Sequence, residues 1–543
     1  MRVKAGFLIG WAMALSTAAA LSAAAPLQRT PQASVNAVET DGTTALHRAA
    51  QRDDLEAADR LIRAGADVKA ANRYGVTALS VACMNGSAAM IERLLKAGAD
   101  PNTALPLGET ALMTAANTGN VAALKVLLAH GADVNAAEDS KGHTALMWAV
   151  NEGHTAAAQA LIEAGADIDA QSYGDFTAMV FAVRGGKTDI VRLLLAKGAK
   201  VTETIEGAAV SAGVNGATTD STSLVGLAII NAQYDIAQLL LANGADPNAP
   251  DSRGSLLHTL AWMRRPGSGR ALPPDPVGDS LELAKALLAR GANPNVRIAW
   301  KEIPFDLDDG EAKSPPNIPT GRDYIILSGA TPYFLAAKNG DPALMRVLVA
   351  AGADPRIANV HGVRPFMAAA GLGYWDGESS GPLNGTPEAE RLEAVKLAME
   401  LGGDDVNAVA DFGGNIAFDE DGNDLLFSYP RKYSADPTLG PRPEAVLGDV
   451  RWAGSTALHG AAVMGQASII RFLVEKGARL DARNTAGWTP LMVTQGMLIA
   501  ANARFYPLAE ALLKELMIER GLDPARYSRR ALTTSVVKQG QNP

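Results

Sequence analysis

The chain has 543 residues, of which 48% are hydrophobic and only 5% aromatic, and a formal net charge of −9. No basic stripe accompanies that acidic balance, and phosphate neutralisation needs clustered Lys and Arg, so nucleic acid is not an expected partner. A single cysteine, Cys83, excludes an intramolecular disulfide, and its place among small apolar residues predicts a buried, inert thiol.

The first element reads as an export signal. Arg2 and Lys4 precede an Ala-rich apolar stretch over residues 5–22, and small residues follow before Pro26. Cleavage after Ala24 places small residues at the positions a signal peptidase requires. Residues 1–24 are thus a Sec-type signal peptide and 25–32 a short linker. The expected mature chain carries a charge of about −11, has no stable membrane anchor, and is periplasmic or secreted.

From residue 33 the chain repeats itself. TALHRAA begins at Thr44 and returns as TALSVAC from Thr77, TALMTAA from Thr110, TALMWAV from Thr144 and TAMVFAV from Thr177. About seventeen residues after each start comes a second phrase, as in LIRAGADVKA and LLAHGADVNA. Two phrases in phase at one period of about 33 residues predict a solenoid. Each Thr can cap a short first helix, its hydroxyl accepting an early backbone N–H. A second helix with apolar residues at helical spacing, such as Val121, Leu124, Leu127 and Leu128, then ends at a glycine in the left-handed region. Gly65, Gly98, Gly131, Gly165 and Gly198 hold that place. An extended stretch and a tight turn return the chain to the next Thr.

Later units are more divergent, starting near Ser223, Ser255, Thr331, Arg364, Thr456 and Thr489, which brings the count to about eleven. Longer gaps between them place insertions at 203–220, 264–279, 299–328, 371–390 and 410–452. The repeat region is expected to run to residue 525, closing on a polar cap with Lys514, Glu515, Glu519 and Arg520. A mobile tail is expected over 526–543.

At the phrases TTALHRAA, STALHGAA and WTPLM the chain resembles the ankyrin repeat family, and the resemblance extends over most of residues 33–524. It implies an all-α solenoid of helix–turn–helix–hairpin units, and it implies that Thr and His of the phrase tie neighbouring repeats together. His47, His258 and His459 match the family histidine. The resemblance further implies a non-catalytic scaffold or accessory subunit that binds a protein partner along a concave face, through hairpin tips and first helices. The tip residues are then Arg73, Tyr74, Lys141, Tyr173, Arg253 and His361. A monomeric solenoid is expected.

The three longest insertions are rich in large aromatics, among them Trp300, Tyr324, Trp375, Phe412, Phe427 and Tyr429, which serve either as recognition anchors or as small local cores. Two other readings use these features: a secreted factor that binds proteins of another cell, and a small-ligand or glycan binder. Acidic runs at 306–311 and 419–424 fail the calcium-loop pattern, because apolar residues stand where ligands are needed. The seven histidines form no metal-ligand spacing and no catalytic motif is present, so neither a cofactor nor an enzyme activity is expected. Paired acids at Asp53-Asp54 and Asp404-Asp405 fall in turns, where solvated charge is the ordinary state.

Overall fold

The computed structural model describes residues 35–205, 222–251, 254–264, 278–298, 329–359, 362–373, 386–410, 453–485, 487–496 and 505–528. They fall into two compact units, one ending at Lys200 and the other beginning at Val201.

The first unit contains five helix pairs: Ala45–Gln51 and Leu55–Arg63 (α1, α2), Ala78–Asn85 and Ala88–Lys96 (α3, α4), Ala111–Asn117 and Val121–Ala129 (α5, α6), Ala145–Glu152 and Thr155–Glu163 (α7, α8), and Ala178–Arg184 and Thr188–Ala196 (α9, α10). The Thr before each first helix acts as anticipated: Thr44, Thr77, Thr110, Thr144 and Thr177 each accept an N–H from the third helical residue. Asp54, Ser87 and Asn120 cap second helices in the same way. Glycine follows each second helix with φ between 84° and 96°, a region that disfavours residues bearing a Cβ. Helices this short are marginal alone, so packing decides the matter. Leu79, Leu112, Leu124, Leu127 and Leu161 are fully or almost fully buried, each contributing about 2 kcal/mol. Ala between them lets the helices approach closely. Cys83 lies in this core, and burial pushes its thiol up to about 12.

Neighbouring repeats are joined by three sets of hydrogen bonds. The Asn of each GADxN phrase reaches the next repeat: Asn102 Oδ1 accepts Asp133 N at 2.7 Å while its Nδ2 donates to Gly131 O at 3.2 Å. Asn36 and Asn135 repeat this pattern toward residues 65–67 and 165–167. Hairpin tips are linked by backbone bonds, Arg73 N to Asp41 O and Asp139 N to Leu107 O at 2.9 Å, and Tyr173 N to Lys141 O at 2.8 Å. Pro106, at the same place in the third repeat, has no N–H to give. The third set is the histidine bond that the family resemblance implies. His47 Nδ1 lies 2.8 Å from Thr44 Oγ1, and its Nε2 lies 2.9 Å from Val76 O, just before the next cap.

The second unit has six pairs: Leu224–Ile230 and Tyr234–Ala242 (α11, α12), Leu256–Arg264 and Ser280–Ala289 (α13, α14), Pro332–Lys338 and Pro342–Ala350 (α15, α16), Pro365–Ala369 and Glu388–Gly402 (α17, α18), Ala457–Val463 and Ala467–Glu475 (α19, α20), and Pro490–Thr494 and Pro507–Glu519 (α21, α22). The all-α repeat architecture expected from the sequence is therefore present, with eleven pairs among the described residues. Two short antiparallel ladders accompany them, Thr204–Ile205 with Thr222–Ser223 (β1, β2) and Pro250–Asp251 with Gly254–Ser255 (β3, β4). His258 and His459, both fully buried, repeat the His47 bond: their Nε2 atoms lie 3.1 Å from Ala330 O and 3.0 Å from Trp488 O.

Several features depart from the sequence reading. Residues 371–373 and 388–390, assigned there to an insertion, are built into the stack. Leu372 is buried so close to α19 that a Cβ on Gly460 would lie 2.3 Å from its nitrogen. Glu388, Ala389 and Glu390 form the first turn of α18. Arg364 stands where other first helices carry Thr or Ser; it makes no side-chain cap, and its guanidinium pairs instead with Asp404. Asp404 is accordingly buried, in contrast to the solvated turn expected for it, while Asp405 is exposed. Arg391, also fully buried, donates Nη1 to Lys338 O at 2.9 Å, at the carbonyl end of α15 where the helix dipole favours a cation. The terminal repeat is not uniformly polar: Leu508 is 81% and Ile518 66% exposed on α22. Residues 526–528, expected to begin a tail, belong to a 3-10 turn over Pro524–Tyr527 and the serine after it, and Thr489 Oγ1 donates to Tyr527 O at 2.7 Å.

Candidate partner-binding face

In the first unit the hairpin tips and the first helices share one face. Within each phrase the positions that point into the core are buried, including the variable one three residues after the capping Thr, filled by His47, Ser80, Met113, Met147 and Val180. Two other variable positions, four and seven residues after the capping Thr, keep exposure. The first set is Arg48, Val81, Thr114, Trp148 and Phe181, all half-buried; the second is Gln51, Met84, Asn117, Asn151 and Arg184, all exposed. A three-residue step keeps both sets on one side of a helix.

The tips border this face. Arg73 is exposed and its guanidinium carbon lies 4.8 Å from the centre of the Tyr74 ring, a cation–π contact, while Nη2 reaches the Tyr74 hydroxyl. Lys141 is exposed at the tip of the fourth repeat, which is one residue longer than its neighbours. Glu138 holds that longer tip together: its carboxylate accepts N–H bonds from Ser140 at 2.7 Å, Lys141 at 2.9 Å and His143 at 3.1 Å. Burial alone would raise the Glu138 carboxyl, but these bonds and the Ser140 hydroxyl outweigh it and hold the group below the usual carboxylate range. Tyr173 is 70% exposed and seats its ring over Gly142, where a Cβ would lie 2.8 Å from Cδ1.

Beside Lys141 and Tyr173 the face becomes aromatic. His143 stands edge-on to Trp148 at 6.1 Å between ring centres and to Phe181 at 5.3 Å, and Phe176 meets Phe181 at 6.0 Å, all within about 10° of perpendicular. Burial lowers the His143 pKa from its ordinary value, offset in part by Glu138, so the ring is neutral at neutral pH. Leu107, 60% exposed, and Met84, 54% exposed, extend the apolar surface toward earlier repeats.

The corresponding positions of the second unit are largely closed. Leu227, Thr259, Leu335, Ala368 and Val493 match the Arg48 set, and every one is buried. Trp262, Lys338 and Val463 match the Gln51 set and are buried as well, while Ile230 in that set is half-buried.

Of the residues assigned to binding from the sequence, Arg73, Tyr74, Lys141 and Tyr173 lie together along the border of the open face. Arg253, His361, Trp300, Tyr324, Trp375, Phe412, Phe427 and Tyr429 lie outside the described residues, as do the acidic runs at 306–311 and 419–424. The sequence reading missed Trp148, Phe176, Phe181, Leu107 and Met84. For Trp148, Phe181 and Met84, the available signal was the mixture of polar and bulky apolar residues four and seven residues after the capping Thr. Among the described residues no group of three or more His, Cys, Asp or Glu side chains is placed to hold a metal ion, and no helix is long and apolar enough to cross a membrane.

Comparison with known families gives matches along the chain. A model of ankyrin repeats in three copies matches residues 15–104, 102–172 and 172–251, and a single ankyrin repeat matches 328–360 and 453–485. Together these matches cover more than half of the chain.

Proposed function

The chain belongs to the ankyrin repeat family, and on that premise we propose that it is a non-catalytic protein-interaction scaffold that binds its partner on the hairpin-side face of the first unit. The observation that carries this reading is the contrast in exposure at equivalent positions. A solenoid buries its phrase residues against neighbours, yet Trp148 and Phe181 are only half-buried and Tyr173 beside them is 70% exposed. Aromatic side chains with nearby Arg are the composition of energetic hot spots at protein interfaces. Ankyrin repeats generally mediate protein–protein interaction, which agrees with this use of the face.

The setting we propose is the periplasm or the secreted space, on the strength of the Arg2/Lys4, apolar and small-residue pattern of residues 1–24. N-terminal sequencing of the protein from its native cells should begin at Ala25; a chain beginning at Met1 inside the cell overturns the export reading. For binding, the full mature chain is used to capture partners from cell-envelope extract beside Phe181→Ala and Tyr173→Ala. A partner held by the parent and lost from both variants supports the proposal. A partner retained equally by all three contradicts it.

A further inference from the structure

The first repeat leaves open an end that the next four repeats close. Ala45 on α1 is exposed, and Ala57 and Leu61 on α2 are half-buried. The residues matching Ala45, which are Ala78, Ala111, Ala145 and Ala178, are at most 3% exposed, and those matching Leu61, from Leu94 to Leu194, are fully buried. What closes them is the preceding repeat: α1 packs on α3, α2 on α4, and so on along the unit. The loop side of the open end is already filled, because Asn36 bonds Gly65 O and Asp67 N as the Asn of a preceding repeat does. Only the helix side is open. There Ala45, Ala49, Ala57, Leu61 and Ala64 floor a groove of about 1240 Å³. That exceeds the ~300–1,000 Å³ usual for a small ligand, and at every matching place in the unit the occupant is a helix.

Charge narrows the choice. Arg48, Arg52, Arg60 and Arg63 line the groove, against Glu39 and Asp54. Glu39 is taken by Arg48 at 2.5 Å, while Arg52 and Arg63 are exposed and make no ion pair among the described residues. Elsewhere in the unit an acid on one second helix meets a base on the next: Asp59 pairs with Arg93 at 3.1 Å and Glu92 with His130 at 3.2 Å. Arg60 holds in α2 the place of Arg93 in α4, five residues before the closing glycine. No acid of a preceding helix meets it among the described residues; Glu56, on its own helix, is a loose and exposed pair at 3.8 Å. Residues 1–34 contain no Asp or Glu, so they do not supply one. The side of α2 that serves α4 gives the pattern of a fitting helix: Leu55, Ala58 and Ile62 at helical spacing, with Asp59 beside Ala58.

We propose that the open end of the first repeat receives an acidic amphipathic helix of a partner protein, which stacks on α1 and α2 as a preceding repeat would and sets an Asp or Glu against Arg60. This surface lies apart from Trp148, Phe181 and Tyr173, and the proposal does not depend on them. The probe is the α2 sequence with its two arginines made Glu, DLEAADELIEA, held between helix-forming EAAAK ends, labelled and titrated with the full chain by fluorescence polarisation. Exchanging its fourth and sixth residues keeps the composition and removes the acid opposite Arg60, so that peptide should bind about fivefold more weakly. The unaltered sequence DLEAADRLIRA between the same ends should also bind at least fivefold more weakly. Arg60→Glu should weaken the first peptide about fivefold, and a peptide with Lys at the sixth place, DLEAAKELIEA, should recover binding to that variant. Ala45→Trp, at an exposed position, should fill the groove and block binding. Lys125→Glu, an equal charge reversal at an exposed position of α6, should change nothing, and circular dichroism confirms folding of each variant. Equal binding of the three peptides to the full chain overturns the proposal, as does a charge exchange without recovery. No binding, which is also the result if residues 1–34 fill the groove, overturns it too.

Discussion

Lowering the pH from 7 to 5 should loosen the second unit at His258 and His459. Both rings are fully buried, and burial takes their pKa from 6.5 down to about 4, with the hydrogen bonds to Ala330 O and Trp488 O only partly opposing it. The partners fix the tautomer. Nε2 donates to the carbonyl of the next repeat, and Nδ1 accepts from Ser255 Oγ at 2.8 Å or Thr456 Oγ1 at 3.0 Å. A second proton on Nδ1 therefore removes an acceptor and places an unscreened charge in the core. In the native state the ring binds that proton only near pH 4, whereas the unfolded chain binds it near 6.5. Between those values the unfolded state holds more protons, so stability is complete above about 6.5 and is lost as pH falls toward 4. From pH 7 to pH 5 the loss is about 2 kcal/mol per histidine. That window lies above the ordinary carboxylate range, so acidic residues contribute little to it. Repeats open semi-independently, so a single midpoint would blur the effect. Hydrogen exchange read on 254–264 and 453–463, corrected for intrinsic rates, resolves it. The opening free energy there should fall by about 2 kcal/mol, while α5 and α6, which hold no histidine, should change little. His258→Gln and His459→Gln should be less stable at pH 7 and flatter with pH. An equal change in all repeats, or an unchanged slope in the variants, would refute the reasoning.

Asp341→Ala should lower stability by about 3–5 kcal/mol in urea unfolding, because Arg264, which donates to both carboxylate oxygens at 2.7 and 3.2 Å, is left with a buried charge. Asn102→Ala removes both bonds between the third repeat's loop and the next and should cost about 1–3 kcal/mol, seen as faster exchange at Gly131–Asp133. Gly142→Ala adds a Cβ at φ 71° where the Tyr173 ring already sits, so it should cost about 1–2 kcal/mol and weaken partner capture. Cys83 should resist a thiol reagent in the folded chain and react fully in denaturant, since burial holds it as a thiol.

The repeat architecture was legible because it rests on local chemistry: a capping Thr, a glycine after the second helix, and apolar positions at helical spacing. The histidine bonds were legible only through the family resemblance, since nothing in the spacing of His47, His258 and His459 identifies a carbonyl one repeat away. The tip residues Arg73, Tyr74, Lys141 and Tyr173 were singled out through the same resemblance, which puts hairpin tips beside the first helices. Trp148 and Phe181 were not, because an aromatic residue inside a helix phrase reads as core until its exposure is known. Their register, four residues after the capping Thr, is the physical clue. Asp404 was misread as solvated because its partner, Arg364, is forty residues away, and a turn carries no mark of a distant cation. The exposed Leu508 and Ile518 were missed for a related reason: a helical stripe of apolar residues does not say whether a neighbour covers it.

The most direct test of the central claim is a hydrogen-exchange footprint of the full chain with and without its captured partner. Protection should concentrate on the tips and first helices of the first unit, over 73–84, 107–117, 141–151 and 173–184, and leave the second helices of that unit unchanged. Protection confined to the second helices, or no protection anywhere in the first unit while the partner is bound, would contradict it.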